Sequence, residues 1–251
     1  MAKQKSLIKL EGTIGDITFV KTKDGYIAKE KTSLNGQRIA SDASFQRTRE
    51  NNAEFGRAGK AGKTLRNALR SQLQNVSDSR MISRLTREMM RVLQADTVNA
   101  RGERTVQEGN LALLTGFDFN IHGKLSTTFF APYSATINRA AGELSVTIPS
   151  FVPMNMVAAP SGTTHFKILA AGAAVDFGAG KHTSDARESV VLPWNATTTL
   201  AITLTCNVPG GSTDPLFLLA GLEFLQEVNG VYYPLKNGSY NAMAVVQVDI
   251  Q

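Results

Sequence analysis

The stretch Leu200-Ala201-Ile202-Thr203-Leu204-Thr205-Cys206 decides the fold of the C-terminal half of this chain. Its large apolar side chains alternate with small or polar ones, and a period of two predicts a half-buried β-strand. The stretch Leu144-Ser145-Val146-Thr147-Ile148 repeats the pattern. Turn-forming residues separate such runs, among them Pro149, Pro153, Pro160-Ser161-Gly162, Pro209-Gly210-Gly211, Asn229-Gly230 and Asn237-Gly238. Short alternating strands with this punctuation predict an antiparallel β-sandwich over residues 111–251.

The predicted sandwich contains long stretches without charge. Residues 144–166 and residues 189–213 hold no Asp, Glu, Lys or Arg. Neutral strands at a sheet edge aggregate unless something covers them. They are either central strands of their own sheet or strands covered by neighbouring subunits, and the second interpretation predicts a self-assembling protein.

Upstream, the apolar period changes to that of a helix. Residues 43–76 carry one apolar stripe at spacings of three and four, and Ser77-Asp78-Ser79 supplies a break and a cap before a second amphipathic helix. The short break predicts a helical hairpin, with a polar linker after it. We assign residues 37–110 to this basic helical segment.

Residues 1–36 are predicted to form a β-hairpin arm. Thr18-Phe19-Val20 can pair with Tyr26-Ile27-Ala28 across the bend at Lys23-Asp24-Gly25. A hairpin of this size is marginal alone, so it must dock on its own chain or add strands to a neighbour. Together with the glycine-rich helix face, the arm supplies the predicted assembly interface, which consists of Ile14, Phe19, Tyr26, Ile27, Phe55, Gly56, Gly59 and Gly62.

Charge is distributed unevenly along the chain. The net charge is +6, but residues 1–110 hold 21 Lys and Arg against 12 Asp and Glu, whereas residues 111–251 hold 6 against 9. This asymmetry is typical of solvated helix faces, of head-to-tail subunit contacts, or of nucleic-acid binding. The candidate nucleic-acid contacts are Arg57, Lys60, Arg80, Arg84, Arg87 and Arg91. Since no aromatic residue lies between Phe55 and Phe117, any binding would be to phosphates.

No motif predicts chemistry. The run from Gly56 to Thr64 resembles a phosphate loop, but the first glycine position of that motif holds Arg57. The single cysteine, Cys206, lies on an apolar strand face, and none of the three histidines has a partner at metal-ligand spacing. We therefore expect no catalytic, cofactor or metal site, no enzymatic activity and no small-molecule substrate. The alternative of a ligand-binding sandwich would use Trp194, the one tryptophan, as a stacking platform.

The chain has no apolar run long enough to span a membrane, and its first residues, MAKQKSLIKLEG, lack the apolar core of a secretory signal. We expect synthesis in the cytoplasm, with release as part of a particle as one outcome.

Two segments resemble known proteins. Residues 10–19, LEGTIGDITF, with Lys23-Asp24-Gly25-Tyr26 and the run FQRTREN at residues 45–51, resemble uncharacterised proteins of Bacteroidetes-type bacteria over residues 8–70. That family implies no functional residues. The C-terminal half resembles, at the level of fold alone, the sandwiches of phage capsid, tail and fibre proteins.

The sequence therefore predicts an α+β protein with an N-terminal β-arm, a basic helical hairpin and a C-terminal antiparallel β-sandwich. Its expected function is that of a non-enzymatic structural subunit, which assembles with itself into a filament, tube or virion-like particle. Nucleic-acid association through the Arg and Lys stripes is the alternative.

Overall fold

A computed structural model describes residues 2–5, 8–31 and 36–250 of the chain, and the predicted α+β class is confirmed. The chain divides into two compact units, residues 1–50 and residues 51–251. The predicted boundary at residue 36 adjoins residues 32–35, which lie outside the described residues. The division into three parts stays a prediction.

The first unit contains a small antiparallel sheet, which we call the N-terminal sheet. Its strands are β1 (Ala2–Lys3), β2 (Gly12–Ile14), β3 (Ile17–Thr22) and β4 (Gly25–Glu30), in the order β1-β4-β3-β2. The predicted hairpin is its centre, because Phe19 pairs with Ala28 and Val20 with Ile27. The bend requires Gly25, whose φ of +111° suits glycine. A short helix, α1 (Gly36–Ser41), and a 3-10 turn at Ala43–Phe45 follow.

Three helices follow, where the sequence predicts two. They are α2 (Gln46–Ala68), α3 (Arg70–Leu73) and α4 (Met81–Gln94). The prediction of one helix over residues 43–76 is therefore wrong at Leu69. The backbone leaves helical geometry there (φ −107°, ψ 16°), and the Leu69 side chain is fully buried. The break before α4 is confirmed, since the Asp78 carboxylate accepts a hydrogen bond of 2.6 Å from the backbone N–H of Arg80.

The sandwich consists of two antiparallel sheets. The large sheet has β11 (Leu216–Val228) and β7 (His165–Asp176) at its centre. Beyond β7 lie β8 (Lys181–Glu188) and β9 (Leu192–Pro193), and beyond β11 lie β12 (Val231–Pro234) and β13 (Ala242–Asp249). The small sheet has the order β10-β6-β5, from β10 (Ile202–Asn207), β6 (Glu143–Ile148) and β5 (Ser134–Asn138). Short helices α5 (Leu125–Thr128) and α6 (Pro153–Met156) lie in the connections, and so do 3-10 turns at Leu111–Leu114 and Leu235–Gly238.

Both faces of the central strands β7 and β11 of the large sheet are buried, which makes the second unit a three-layer structure. Alternate residues of β7, such as Ala171, Ala173 and Val175, belong to the apolar cluster of the helices. Their neighbours, such as Ala170 and Ala174, belong to the cluster shared with the small sheet. Strands buried on both faces read as continuous apolar runs, which is what residues 216–222 show.

The neutral strands are covered within this unit. Strand β6 is the central strand of its sheet. Strand β10 lies beside Asp185 and Arg187 of β8. The N–H of Asn207 donates to the Asp185 carboxylate at 2.9 Å, and the Arg187 guanidinium donates to the Thr205 carbonyl at 3.3 Å. The absence of charge in these strands therefore does not require a neighbouring subunit. The predicted strand start at Leu200 is wrong, because Leu200 precedes β10 and is 86% exposed.

Gly172 sets the distance between the two sheets. A methyl group at this position would lie 3.0 Å from the Cβ of Cys206 and 3.2 Å from a methyl of Leu144. We predict that Gly172→Ala lowers the free energy of unfolding by about 1–3 kcal/mol, because neither neighbour can move without disturbing a close-packed core. Urea denaturation followed by circular dichroism measures this.

Gly59→Ala is the matched control. A methyl group at Gly59 in α2 would meet no atom within 4 Å, so this substitution should stabilise the helix by about 0.5–1 kcal/mol. Equal effects of the two substitutions would contradict the assignment of Gly172 as a packing position.

Candidate assembly surface

The N-terminal sheet has one apolar face. Residues directly opposite each other on paired strands lie on the same face of a sheet. The face in question holds the pairs Ile14–Ile17, Phe19–Ala28 and Lys21–Tyr26. Along β3 these pairs alternate with pairs on the opposite face. One face therefore carries the apolar side chains Ile14, Ile17, Phe19, Tyr26 and Ala28, and we call this set the apolar face. Two charged residues, Lys21 and Glu30, lie on the same side of the sheet, Glu30 directly opposite Ile17.

The opposite face is more polar. Thr13 and Thr18 pair across β2 and β3, and their hydroxyl oxygens lie 3.2 Å apart. Val20 and Ile27 pair on this face as well. Of the predicted interface residues of the arm, Ile14, Phe19 and Tyr26 thus share the apolar face and Ile27 does not.

No described residue in 2–50 is buried. Ile14 is 64% exposed and Ile17 is 48% exposed, although both are large apolar residues in regular strands. Ordering one strand residue costs about 1–2 kcal/mol in conformational entropy, and the burial of apolar side chains ordinarily offsets that cost. The apolar face lacks such burial.

The predicted glycine face of α2 divides into two parts. Phe55 is 60% exposed, and Gly56 and Gly59 border open space. Gly62 is different, because a methyl group there would contact Leu85 and Met89 of α4 at 3.6–3.8 Å. Gly62 therefore lies at the contact between α2 and α4 within one chain, and Phe55, Gly56 and Gly59 remain at the surface.

Two of the predicted nucleic-acid contacts are engaged in contacts within the chain. The Arg57 guanidinium donates to the carbonyls of Gly102 and Arg104, the latter at 2.6 Å. The Arg84 guanidinium donates to the carbonyls of Asp118 and Phe119, at 2.6 and 3.2 Å, and forms an ion pair with Asp78. These contacts hold both side chains against the protein.

The Asp78–Arg84 pair joins α4 to the chain that enters the sandwich. The Asp78 carboxylate accepts from the N–H of Ile121 at 2.9 Å, and the Asp78 side chain is 6% exposed. Burial raises the pKa of Asp78, but hydrogen bonds from Ile121, Arg80 and Arg84 outweigh that effect and lower the pKa below its usual value of 3.8.

The remaining arginines of α4 line a concave surface, which we call the basic groove. Arg87 and Arg91 are exposed and both pair with the buried Glu88 at 2.9 Å. Lys124 and Arg84 complete the cationic lining of this groove of about 380 Å³. Arg80, at the start of α4, and Lys60, on α2, are exposed at the surface and do not line the groove. The groove could not be found from the helical stripe alone, because residues 113–124 form its other wall.

Asp118 also lines the basic groove, and Tyr133 lies next to Asp118. Burial raises the pKa of Asp118, against the opposing effects of the Leu125 N–H, Lys124 and Arg84. Burial, followed by the charge of Asp118, raises the pKa of Tyr133. Both residues line a second, smaller cleft.

Cys206 and Trp194, the residues weighed above as a nucleophile and as a ligand platform, both belong to the core between the two sheets. Cys206 is buried, and burial raises the pKa of its thiol to about 11, so it is a poor nucleophile at neutral pH. The Trp194 indole donates to the carbonyl of Val157 at 3.1 Å and packs against the core between the sheets. Within the described part of the chain, no three His, Cys, Asp or Glu residues are grouped so that they could hold a metal ion.

Among the described residues, no helix combines the length and the apolar character needed to cross a bilayer.

No protein-family model matches this chain, and no curated protein matches it. Among solved structures, it is similar to a chain of the structure described as "pH-induced modulation of Streptococcus parasanguinis adhesion by Fap1 fimbriae". The identity is 13%, the TM-score is 0.23, and the match covers 46% of this chain and 81% of that chain. A similarity of this size carries no argument about function.

We predict that Asp78→Asn lowers the free energy of unfolding at pH 7 by about 3 kcal/mol, because it leaves the Arg84 guanidinium mostly buried without its counter-ion. The pKa of Asp78 is lowered in the folded state, so the ionised carboxylate stabilises the fold fully above pH 3.8. That stabilisation is lost as the pH falls through the folded-state pKa of Asp78. The difference between wild type and variant should therefore narrow below pH 3.8. Urea titrations across pH measure it.

Glu188→Gln is the control for this experiment. Glu188 pairs with Lys167 at 3.0 Å, but its side chain is 59% exposed, and exposed pairs contribute less than about 1 kcal/mol. A loss at Asp78 no larger than that at Glu188 would show that the Asp78–Arg84 pair does not join α4 to the sandwich.

Proposed function

We propose that this protein is a non-enzymatic structural subunit that associates with further copies of itself through the apolar face of the N-terminal sheet. The observation that carries the proposal is the set of large apolar side chains on that face in a unit where no described residue is buried. Exposed contiguous apolar surface of this kind marks an interaction site. A face that pairs with itself about a two-fold axis closes after two copies, so a homomeric filament, tube or particle would use this contact together with further contacts.

The geometry of the face supports a sheet-on-sheet contact. Ile14, Ile17 and Phe19 occupy successive positions on the two adjacent strands β2 and β3. Two such faces pack about 10 Å apart with their side chains interdigitated. Each fully buried Ile or Phe side chain contributes about 1.5–3 kcal/mol, so a few such side chains offset part of the ordering cost of the sheet.

A second copy is the partner that the face suits best. The set is self-complementary, because apolar side chains are matched by the same side chains of a copy related by a two-fold axis. Lys21 lies on the same face and places its ammonium group 5.8 Å from the Tyr26 ring centre. A charged residue at the border of an apolar patch is typical of a protein interface.

We predict that Ile14→Asp and Phe19→Asp each weaken self-association by at least about tenfold, because each buries a carboxylate between two apolar faces. Sedimentation velocity over a range of protein concentrations measures the size distribution. Deletion of residues 1–32 should likewise yield small soluble species, and negative-stain microscopy shows whether particles persist.

Thr13→Asp and Thr18→Asp are the matched controls. They place the same charge one residue away on the same two strands, but on the opposite face. They should leave self-association within about threefold of wild type. A wild-type chain that stays monomeric at high concentration, or equal effects of substitutions on the two faces, would refute the proposal.

A further inference from the structure

The second unit contains a pocket between the helical layer and the large sheet. Its volume is about 250 Å³, whereas one water needs roughly 10–15 Å³. Leu169 of β7 and Ala186 of β8 supply apolar lining and pack against the core of the helices. Ser71 and Gln72 of α3, with Asn75 in the turn after it, line the helical side. The pocket is therefore large enough for a small molecule and is built within one compact unit.

Glu223 of β11 is a half-buried carboxylate that lines this pocket. The residue directly opposite it on β7 is Lys167, but the Lys167 ammonium group pairs with Glu188 of β8 at 3.0 Å. No described residue forms an ion pair or a hydrogen bond with the Glu223 carboxylate. Burial raises the pKa of Glu223, against the attraction of Lys167 and together with the repulsion of Glu188. The chain therefore leaves this carboxylate without a counter-ion.

The polar groups on the helical side of the pocket also have unused hydrogen-bonding capacity. The Ser71 hydroxyl and the side-chain amides of Gln72 and Asn75 form no hydrogen bond with any residue that the structure describes. Each of these groups offers an acceptor as well as a donor. A cavity whose surface is more apolar than polar, with a few polar groups that converge on it, is the usual form of a small-molecule site.

We propose that this pocket binds a small aliphatic primary amine, with its ammonium group at the Glu223 carboxylate and its alkyl chain along Leu169 and Ala186. An ammonium group has three donors, which the carboxylate and the oxygens of Gln72 and Asn75 accept. These acceptors come from the sheet and from the helical side, so they suit a compact ammonium better than the flat fork of a guanidinium. The inference goes beyond the proposed function and requires no association between copies.

Other ligand classes fit the pocket less well. A half-buried carboxylate without a counter-ion carries a desolvation cost, which a bound cation offsets and a neutral ligand does not. The described lining holds no aromatic side chain on which a flat ring could stack, and Trp194 is not part of it. An anion would meet Glu223 and Glu188, while Arg187, which also lines the pocket, pairs with Asp185 at 3.0 Å.

Saturation-transfer difference NMR with n-butylammonium tests the pocket in the full-length chain, whether or not the chain is assembled. We expect a Kd of about 1 mM. The neutral isostere n-butanol should bind about tenfold more weakly, because it lacks the charge. Glu223→Gln should weaken the binding of n-butylammonium at least about tenfold and leave that of n-butanol unchanged. The substitution should not lower the thermal stability, since the carboxylate has no partner to lose.

Glu227→Gln is the matched control. It removes the same charge from the same strand, four residues further along, and lies outside the lining of the pocket. It should leave the Kd of n-butylammonium within about twofold of wild type. Ala186→Leu is a second variant, which keeps the Glu223 carboxylate but places a larger side chain in the pocket. It should weaken the binding of both probes, and circular dichroism confirms that each variant is folded.

A lysine side chain carries the same chemical group as a free amine, and a further probe distinguishes these two sources. Tighter binding of Nα-acetyl-lysine methylamide than of n-butylammonium would identify a lysine of a peptide or protein as the ligand. Tighter binding of n-butylammonium would identify a free amine.

Three results would overturn the inference. The first is the absence of saturation transfer to n-butylammonium at about 10 mM, well above the expected Kd. The second is equal binding of n-butylammonium and n-butanol, or unchanged binding of n-butylammonium in Glu223→Gln. The third is a fall in the thermal stability of Glu223→Gln that Glu227→Gln does not show, because Glu223 would then serve the fold through Lys167.

Discussion

The second unit depends on one constraint, which is that both faces of strands β7 and β11 must be buried. A strand that is apolar on both faces needs two covering layers, and here the helices supply one and the small sheet the other. Small residues make this possible. From Ala170 to Ala174 the strand carries four alanines and Gly172, so the layers approach closely and the core is filled by side chains from the covering elements.

The helical layer is held in register by polar contacts as well as by packing. Asp78 and Arg84 bind the backbone of residues 118–121, and that segment in turn bonds to β13 through Phe119 and Met243. The mostly buried ion pair therefore connects α4 with the edge of the large sheet. The same arrangement positions the basic groove, because the wall formed by residues 113–124 and the arginines of α4 meet where the two elements join.

The N-terminal sheet contrasts with this unit. Its strands have regular pairing but no described buried residue, whereas β7 and β11 hold long runs of buried residues. Backbone hydrogen bonds alone contribute little net stability, since water offers similar bonds to the unpaired strands. A sheet of this kind gains stability when its apolar face is covered, and for that reason we propose that copies of the chain associate there.

The sequence by itself determined the α+β class, the centre of the N-terminal hairpin, the break before α4 and the alternation of Leu144, Val146 and Ile148. All of these depend on local periodicity and turn residues, which act over a few positions. Only the tertiary structure decided the break at Leu69, the role of Gly62 against Leu85 and the cover of the neutral strands by other strands of the same unit. It also decided that Arg57 and Arg84 are held by backbone carbonyls and that Arg84, Arg87 and Arg91 line the basic groove. Such features depend on contacts between residues distant in the chain, such as Arg84 with Phe119, and a pattern along one segment does not record which other segment will lie against it.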